Sequence, residues 1–322
     1  MLEESGVVEL RGISFPAICN ASGAQGFFGE GYPYHAYWKY AGLTFDRCGF
    51  VAKTTTLDER PGNMPLKEDG ITPKEYQPKC IIVKPFKGVL LNAVGLSGPG
   101  AYTLFGKQGW QMRTRPFFIS FMSVKSTIDE RLQELGTFVK LFHQHLADFS
   151  GPVGLEMNFS CPNAGLNPFE LINETSLALD IAASLNIPLQ CKFNATVPPM
   201  AVARVSKHPA CDAITISNTI PWGMLPDKID WYGLFGSEKS PLADLGGGGL
   251  SGWPLLPIVC DWIRNARSCG LTKPIWACGG VDSAWAVRQA KIAGANGVQI
   301  GSVAILRPWR MKRIIRAARE LF

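Results

Sequence analysis

The stretch EMNFSCPNAG, residues 156–165, joins a buried strand to a polar loop. The apolar run 153–155 leads into it, and then two amides, a hydroxyl and a thiol follow closely: Asn158, Ser160, Cys161 and Asn163. A helix start comes next. Asn167 can cap, Pro168 fits the first turn and Glu170 stands at the capping-box position. A strand end feeding a polar loop and a capped helix is where an α/β barrel keeps its chemistry. Cys161 is therefore a candidate acid, base or nucleophile. The alternative is a small buried hydrophobe, the usual state of a free cysteine.

Outward from this unit the same alternation recurs. Strands are expected at 16–23, 48–56, 116–121, 153–158, 188–193, 213–217, 274–278 and 297–300. Helices are expected over 35–41, 127–147, 168–185, 199–207, 254–268, 283–293 and 308–321, with Thr127 and Glu130 forming a capping box. Eight strands in this order argue a (β/α)8 TIM barrel, an α/β fold, built as one domain over residues 1–322. A doubly wound sheet would want a glycine-rich turn after its first strand, which is not convincing here. Residues 7–15 alternate apolar and polar and read as an N-terminal hairpin lead-in that plugs the barrel floor. Two long excursions are expected over the C-terminal mouth. Residues 57–115 fit no helix pattern, and residues 221–248 are rich in Trp and Gly and bring Trp222, Trp231 and Phe235 near the mouth.

Composition narrows the class. At 46% apolar and 18% charged residues the chain is globular with a large core. A net charge of +6 suits an anionic ligand without demanding nucleic acid. Nine cysteines, with no C-x-x-C, argue against a disulfide framework, a zinc ribbon or an iron–sulfur cluster held by this chain, and fit a reducing cytoplasm. The start MLEESGVVELRG has no apolar signal segment, and no run of about 18 apolar residues is present to span a membrane.

Several strand ends carry groups that could do chemistry. Lys53 ends the second strand in KTTT, as a functional ammonium or a side chain snorkelling to the rim. Asn92 stands between an apolar run and a glycine-rich turn, where an amide and backbone donors would face one point. Lys192 ends the fifth strand, as a Schiff-base lysine, a charge against a cofactor ring, or half of a structural ion pair. Asn158, Asn163 and Asn218 with Thr219 suit a ligand with mixed imide and carboxylate edges and suit a metal poorly. The turns ACGGVDS (277–283) and IGSVA (300–304), preceded by GGGGLSG (246–252), offer backbone N–H groups to a phosphate; ordinary turn chemistry is the alternative. The four histidines are scattered, so no metal site is expected. Arg310, Arg313, Arg316 and Arg319 recur every third residue opposite Met311, Ile314, Ile315 and Ala318, as a solvated helix face or a contact for an acidic partner.

NFSCPN at 158–163 closely resembles the signature loop of the dihydroorotate dehydrogenases, specifically of class 1, which carry cysteine where class 2 carries serine. NASG (20–23), KTTTLDERPGN (53–63), NAVGL (92–96), the lysine of CKF (192), SNT (217–219), GGLSG (248–252), ACGGV (277–281) and QIGS (299–302) fall in family order along nearly the whole chain. The resemblance implies an FMN-dependent flavoprotein that oxidises dihydroorotate to orotate in pyrimidine biosynthesis. Cys161 would be the general base at C5, with the C6 hydride passing to N5 of FMN. Lys53, Asn92, Gly95, Leu96, Asn158, Asn163, Asn218 and Thr219 would hold the substrate. Ser22, Lys53, Thr54, Asn158, Lys192, Ser217, Gly252, Gly279, Gly280, Gly301 and Ser302 would hold FMN. A thiol base near the ordinary value of about 8.5 implies activity that rises above neutral pH. A homodimer is implied, and NAVGL followed by GPG leans toward the subtype that works with an iron–sulfur/flavin partner subunit and NAD. The departures are Val94, where Met or Ile is expected, and the long 221–248 excursion; they leave another dihydropyrimidine as the alternative substrate. The first barrel strand starts near residue 16, so the membrane-docking extension of class 2 is not expected.

Overall fold

The computed structural model describes residues 6–160 and 168–322. The chain opens with an antiparallel hairpin, β1 (Val7–Leu10) and β2 (Ile13–Pro16). β3 (Ile18–Asn20), the short helix α1 (His35–Trp38) and β4 (Phe50–Val51) follow. A second hairpin, β5 (Ile81–Lys84) and β6 (Val89–Asn92), and a helix, α2 (Gly100–Gly106), occupy the first excursion. Then come β7 (Phe117–Phe121), α3 (Ile128–His145), β8 (Val153–Asn158), α4 (Pro168–Ala182), β9 (Leu189–Phe193), α5 (Pro199–Val205) and β10 (Ala213–Ile216). The second excursion holds β11 (Ile220–Pro221) and α6 (Trp231–Phe235) and ends in β12 (Gly249–Gly252). The chain finishes with α7 (Leu255–Ser268), β13 (Ile275–Cys278), α8 (Ala284–Ala293), β14 (Gly297–Ile300), α9 (Val303–Leu306) and α10 (Met311–Leu321).

Eight strands form one parallel sheet in the order β3-β14-β13-β10-β9-β8-β7-β4. Its two edges meet. Gly49 donates to the Ile18 carbonyl at 2.7 Å and accepts from Asn20 N at 3.0 Å. The Asn20 side chain extends the seam as a second peptide would. Its Nδ2 donates to Val51 O at 2.7 Å, and its Oδ1 accepts from Val51 N at 3.0 Å. The barrel is thus closed where β4 alone is too short to close it. Outside, the expected capping box starts α3: Glu130 N donates to Thr127 Oγ1, and Thr127 N donates to Glu130 Oε2. A buried Arg131–Glu174 pair at 2.8 Å ties α3 to α4. The Asn167 cap expected for α4 lies outside the described residues.

The lead-in hairpin plugs the floor as expected. Val8, Leu10 and Phe15 pack with Val51, Phe118, Ala213 and Trp276, and Phe15 stacks on Phe118 at 4.3 Å. Small residues make room for these rings. A Cβ on Gly154 would lie 2.6 Å from the Phe118 ring, and one on Gly297 would lie 2.7 Å from Trp276 Nε1.

The excursions differ from the expectation. Residues 57–115 contain a hairpin and a helix rather than irregular loop alone. The short amphipathic pattern of α2 is masked by its flanking glycines. The two excursions also join each other, since β11, β12, β6 and β5 make a four-stranded antiparallel sheet. Its outer cluster contains Val89, Leu91, Trp231, Phe235 and Leu250, with Trp222 packed 4.8 Å from Trp231. Those aromatics form a small core beside the barrel and do not line its mouth.

Candidate functional site

The strand ends and the second sheet enclose one cleft of about 220 Å³. A buried water needs about 10–15 Å³, so this space is sized for a ligand. Every expected binding residue among the described residues lines it. Ser22, Lys53 and Thr54 come from the first two strand ends, and Asn92, Gly95 and Leu96 from the end of β6 and its loop. Asn158 and Lys192 come from β8 and β9, and Ser217, Asn218 and Thr219 follow β10. Gly252 ends β12, and Gly279, Gly280, Gly301 and Ser302 follow β13 and β14. Cys161 and Asn163 lie outside the described residues.

One wall is a string of hydroxyls and amides. Ser22 Oγ donates to Ala52 O at 2.9 Å and lies 2.8 Å from Thr54 Oγ1. Thr54 Oγ1 lies 2.9 Å from Ser120 Oγ and accepts from Asn158 Nδ2 at 3.2 Å. Asn158 Oδ1 accepts from Ser160 N at 3.1 Å and from Asn218 Nδ2 at 3.3 Å. Asn218 is fixed in turn, because its Oδ1 accepts from Thr219 N at 2.8 Å. Amides carry both donors and acceptors, so this string orients itself and still presents both kinds of group.

A second wall is built by the loop after β6. The carbonyl of Ala93 accepts from Asn63 Nδ2 at 2.7 Å, that of Val94 from Asn63 N at 2.8 Å, and that of Gly95 from Arg60 Nε at 2.9 Å. In a trans peptide the N–H points opposite to the C=O. Tying back three successive carbonyls therefore turns the N–H groups of Val94, Gly95 and Leu96 toward the cleft that these residues line. None of the three donates to a backbone carbonyl among the described residues. Gly95 and Leu96 both have positive φ, +72° and +61°, a turn whose successive N–H groups can face an anion. For Leu96 this backbone is strained, and strain of this kind gathers at functional sites. Lys53 adds charge beside the loop: it is 7% exposed, donates through Nζ to Ser97 O, and sits 4.5 Å from the Phe27 ring centroid. The lysine is buried rather than snorkelling, and Arg60 and Asn63 hold the loop in place through its carbonyls, a contact that no local pattern in the sequence announces.

The third wall is the pair of glycine turns. The N–H groups of Gly279, Gly280, Gly301 and Ser302 donate to no backbone carbonyl among the described residues. Gly280 has φ +73°, and a Cβ there would lie 2.6 Å from Leu256 N at the start of α7. The turn thus packs its back on a helix and leaves its donors to the cleft. A set of backbone donors with no acidic side chain among them fits a phosphate.

The floor of the cleft is charged. Lys192 Nζ lies 3.6 Å from Oε1 of Glu156, which is fully buried. The lysine therefore belongs both to an ion pair and to the cleft lining, two readings that sequence left apart. Cys278 also lines the cleft. Burial pushes its thiol up to about 11, with Lys192 pulling down and Glu156 pushing up. It stays protonated at neutral pH and is no nucleophile. Tyr32 and Tyr34, stacked at 5.5 Å, close the rim, and Tyr32 Oη donates to Gly23 O at 2.5 Å. No motif pointed to these tyrosines; an aromatic pair in the glycine-rich GEGYPY was the available signal. Among the described residues no group of His, Cys, Asp and Glu could hold a metal, and no helix is long and apolar enough to cross a membrane. Of the arginine stripe, Arg313 and Arg316 are exposed, while Arg310 pairs with Asp282.

Comparison with known proteins agrees with this geometry. The chain is 30% identical over 315 residues to the catalytic subunit of dihydroorotate dehydrogenase B (NAD(+)) from Anoxybacillus flavithermus, covering 96% of this chain and 88% of the relative. It is 27% identical over 307 residues to the subunit of the same name from Thermodesulfovibrio yellowstonii, covering 92% and 88%. Among solved structures, DHODH from Eimeria tenella in complex with ferulenol superposes with a TM-score of 0.70 at 16% identity, covering 99% of this chain and 85% of that one, which speaks to the fold. The family model described as dihydroorotate dehydrogenase matches residues 8–322. With that match and those relatives, the chain belongs to the dihydroorotate dehydrogenase family.

Proposed function

We propose that the chain oxidises dihydroorotate to orotate, with FMN as its cofactor. The observation that carries this reading is the presence of two separate donor sets in one cleft. The glycine turns at 279–280 and 301–302 suit a phosphate, and the 94–96 loop with Lys53 suits a carboxylate. FMN and dihydroorotate together bring one of each.

FMN, when bound, supplies a two-electron acceptor. Its phosphate is assigned to the N–H groups of Gly279, Gly280, Gly301 and Ser302. Ser22, Thr54, Asn158, Ser217 and Gly252 would flank the rest of it, and Lys192 would balance negative charge gained on reduction. The substrate carboxylate is assigned to Lys53 and to the N–H groups of Gly95 and Leu96. Asn92, Asn158, Asn163, Asn218 and Thr219 would meet its ring edges, where mixed donors and acceptors are needed. Cys161 Sγ takes the proton from C5 while the hydride leaves C6. One proton and one hydride are the two hydrogens by which dihydroorotate exceeds orotate. Trp222, Trp231 and Phe235 pack outside the cleft, so the excursion that carries them gives no reason to prefer another dihydropyrimidine.

The electron acceptor is read from the relatives. Two are named as catalytic subunits of an NAD(+) enzyme. We propose that this chain passes electrons to NAD, through a partner subunit carrying iron–sulfur and flavin groups, and that it forms a homodimer.

Orotate binding tests the reading without turnover. The FMN-loaded chain, titrated with orotate, is expected to show a saturable shift of the flavin's visible band, weakened about tenfold or more in Asn218→Ala, where a ligand edge is left unpaired. A chain that takes up no FMN, or a flavin band indifferent to orotate, would contradict it.

A further inference from the structure

Barrel cores are ordinarily filled by layers of branched apolar side chains. Directly beneath this cleft the layer is polar, and one of its members, Gln299, reaches the cleft lining. Ser120, Glu156, Gln190, Thr215 and Gln299 are all essentially inaccessible to solvent and point into the barrel. Strand register explains how they meet. Glu156 is the cross-strand partner of Ser120 on one side and Gln190 on the other, and Asn158 is the partner of Lys192. Side chains two apart on a strand share a face. Glu156 and Gln190 therefore sit one layer below Asn158 and Lys192, which line the cleft.

Burying a carboxylate in such a layer is unfavourable unless it is fully paired. Glu156 is well provided for. Oε1 accepts from Ser120 Oγ at 3.0 Å and lies 3.6 Å from Lys192 Nζ, and Oε2 accepts from Gln299 Nε2 at 3.1 Å. Gln299 also donates to Thr215 Oγ1 at 3.2 Å, and Gln190 donates to the same hydroxyl. The polar layer is thus a cradle for one negative charge, placed immediately behind the Lys192 ammonium at the cleft floor. Ser120 also joins it to Thr54, and through Thr54 to Ser22 at the rim.

We propose that Glu156 is a positioning residue that aims Lys192 at the cleft and holds down the positive potential at its floor. It touches neither substrate nor cofactor. Its action runs through the lysine: a carboxylate behind the ammonium fixes where that charge sits and partly neutralises it. Negative charge arriving on a bound flavin then meets a cation that a buried carboxylate moderates. The inference rests on the FMN reading above.

Sulfite reads this potential directly, because it adds to an oxidised flavin as an anion and leaves negative charge on the ring. In FMN-loaded Glu156→Gln the neighbouring charge is gone while shape is nearly kept. Sulfite affinity is expected to rise about tenfold, the order set by one charge at this range in a protein interior. Glu156→Asp keeps the charge but draws it back from Lys192. An increase above twofold, but below that of the glutamine variant, is expected; this variant decides the matter if Glu156→Gln does not retain FMN. A residue serving only to fill the barrel would alter stability and leave the affinity for sulfite alone. A parent chain that takes up no FMN overturns the reading and this inference with it. A yellow parent whose variants stay within twofold of it in sulfite affinity overturns this inference alone.

Discussion

The two ends of the barrel use the same strands for opposite purposes. At the floor the inward positions carry Val51, Phe118, Gly154, Ala213, Trp276 and Gly297. Two residues further along, the same strands carry Lys53, Ser120, Glu156, Thr215, Cys278 and Gln299. The floor is filled by rings set against glycines and sealed by a hairpin. The mouth is hollow, hydrogen-bonded and charged. Strand alternation places both sets inward, so the period alone does not distinguish scaffold from site. Their chemistry does: one end is shaped to exclude any ligand and the other to orient one.

The sharpest way to separate the two ends is to change chemistry without touching packing. Cys161→Ser is expected to slow reduction of the flavin by dihydroorotate by about 10²–10⁴-fold, the usual share of a general base, with FMN retained and the unfolding midpoint unchanged. Stopped-flow absorbance with a urea titration checks both halves. Undiminished reduction would remove the cysteine from its assigned role.

Changing packing without touching chemistry is the converse. In Gly154→Val the new side chain meets the Phe118 ring at 2.6 Å and Pro188 O at 3.0 Å. Overpacking there is expected to lower stability by about 3 kcal/mol while FMN affinity changes little. A variant of normal stability would show that the floor is not close-packed.

Alkaline pH acts on both ends. Burial pushes Cys19 at the floor far up, and Cys278 at the mouth up to about 11 from 9.0. The unfolded chain ionises first, so stability is complete below about pH 9 and falls as pH rises toward 11. Cys278 alone accounts for about 2 kcal/mol of that fall. Cys278→Ala should flatten the corresponding part of a urea-midpoint profile; an unaltered profile would mean that the thiol is not sequestered.

The smallest effect is expected at the rim. Ser22→Ala removes a hydroxyl bonded to Ala52 O and beside Thr54. FMN affinity should weaken by about 1 kcal/mol, a neutral hydrogen bond's worth, measurable by titration calorimetry. A loss of hundredfold would place Ser22 at the centre of the site rather than its edge.

Much of this architecture was legible in sequence. The strand at 153–158 and the helices after Thr127 and Ser283 are announced by local signals that tertiary packing does not override. The glycine turns and the amides at strand ends were legible as well, because those residue types serve few other purposes in such places. What escaped was whatever depends on meeting across the chain. The pairing of β12 with β6 joins residues about 160 positions apart, and no period of either segment declares it. The 94–96 loop is aimed by Arg60 and Asn63, whose side chains act on carbonyls 35 and 30 residues downstream, respectively. Glu156 opens the decisive stretch, yet its meaning comes from Lys192 on the next strand. Trp222, Trp231 and Phe235 were placed near the mouth by their position in the sequence; packing on the back of the second sheet takes them away from it.

The central claim is that the hollow end of the barrel removes hydrogen from dihydroorotate. Anaerobic addition of dihydroorotate to the FMN-loaded chain, followed at the flavin's visible band, tests it most directly. Rapid bleaching, with orotate formed in equal amount, is the predicted result. A band that persists with dihydroorotate yet bleaches with dithionite would contradict the claim, leaving a flavin barrel whose substrate lies elsewhere.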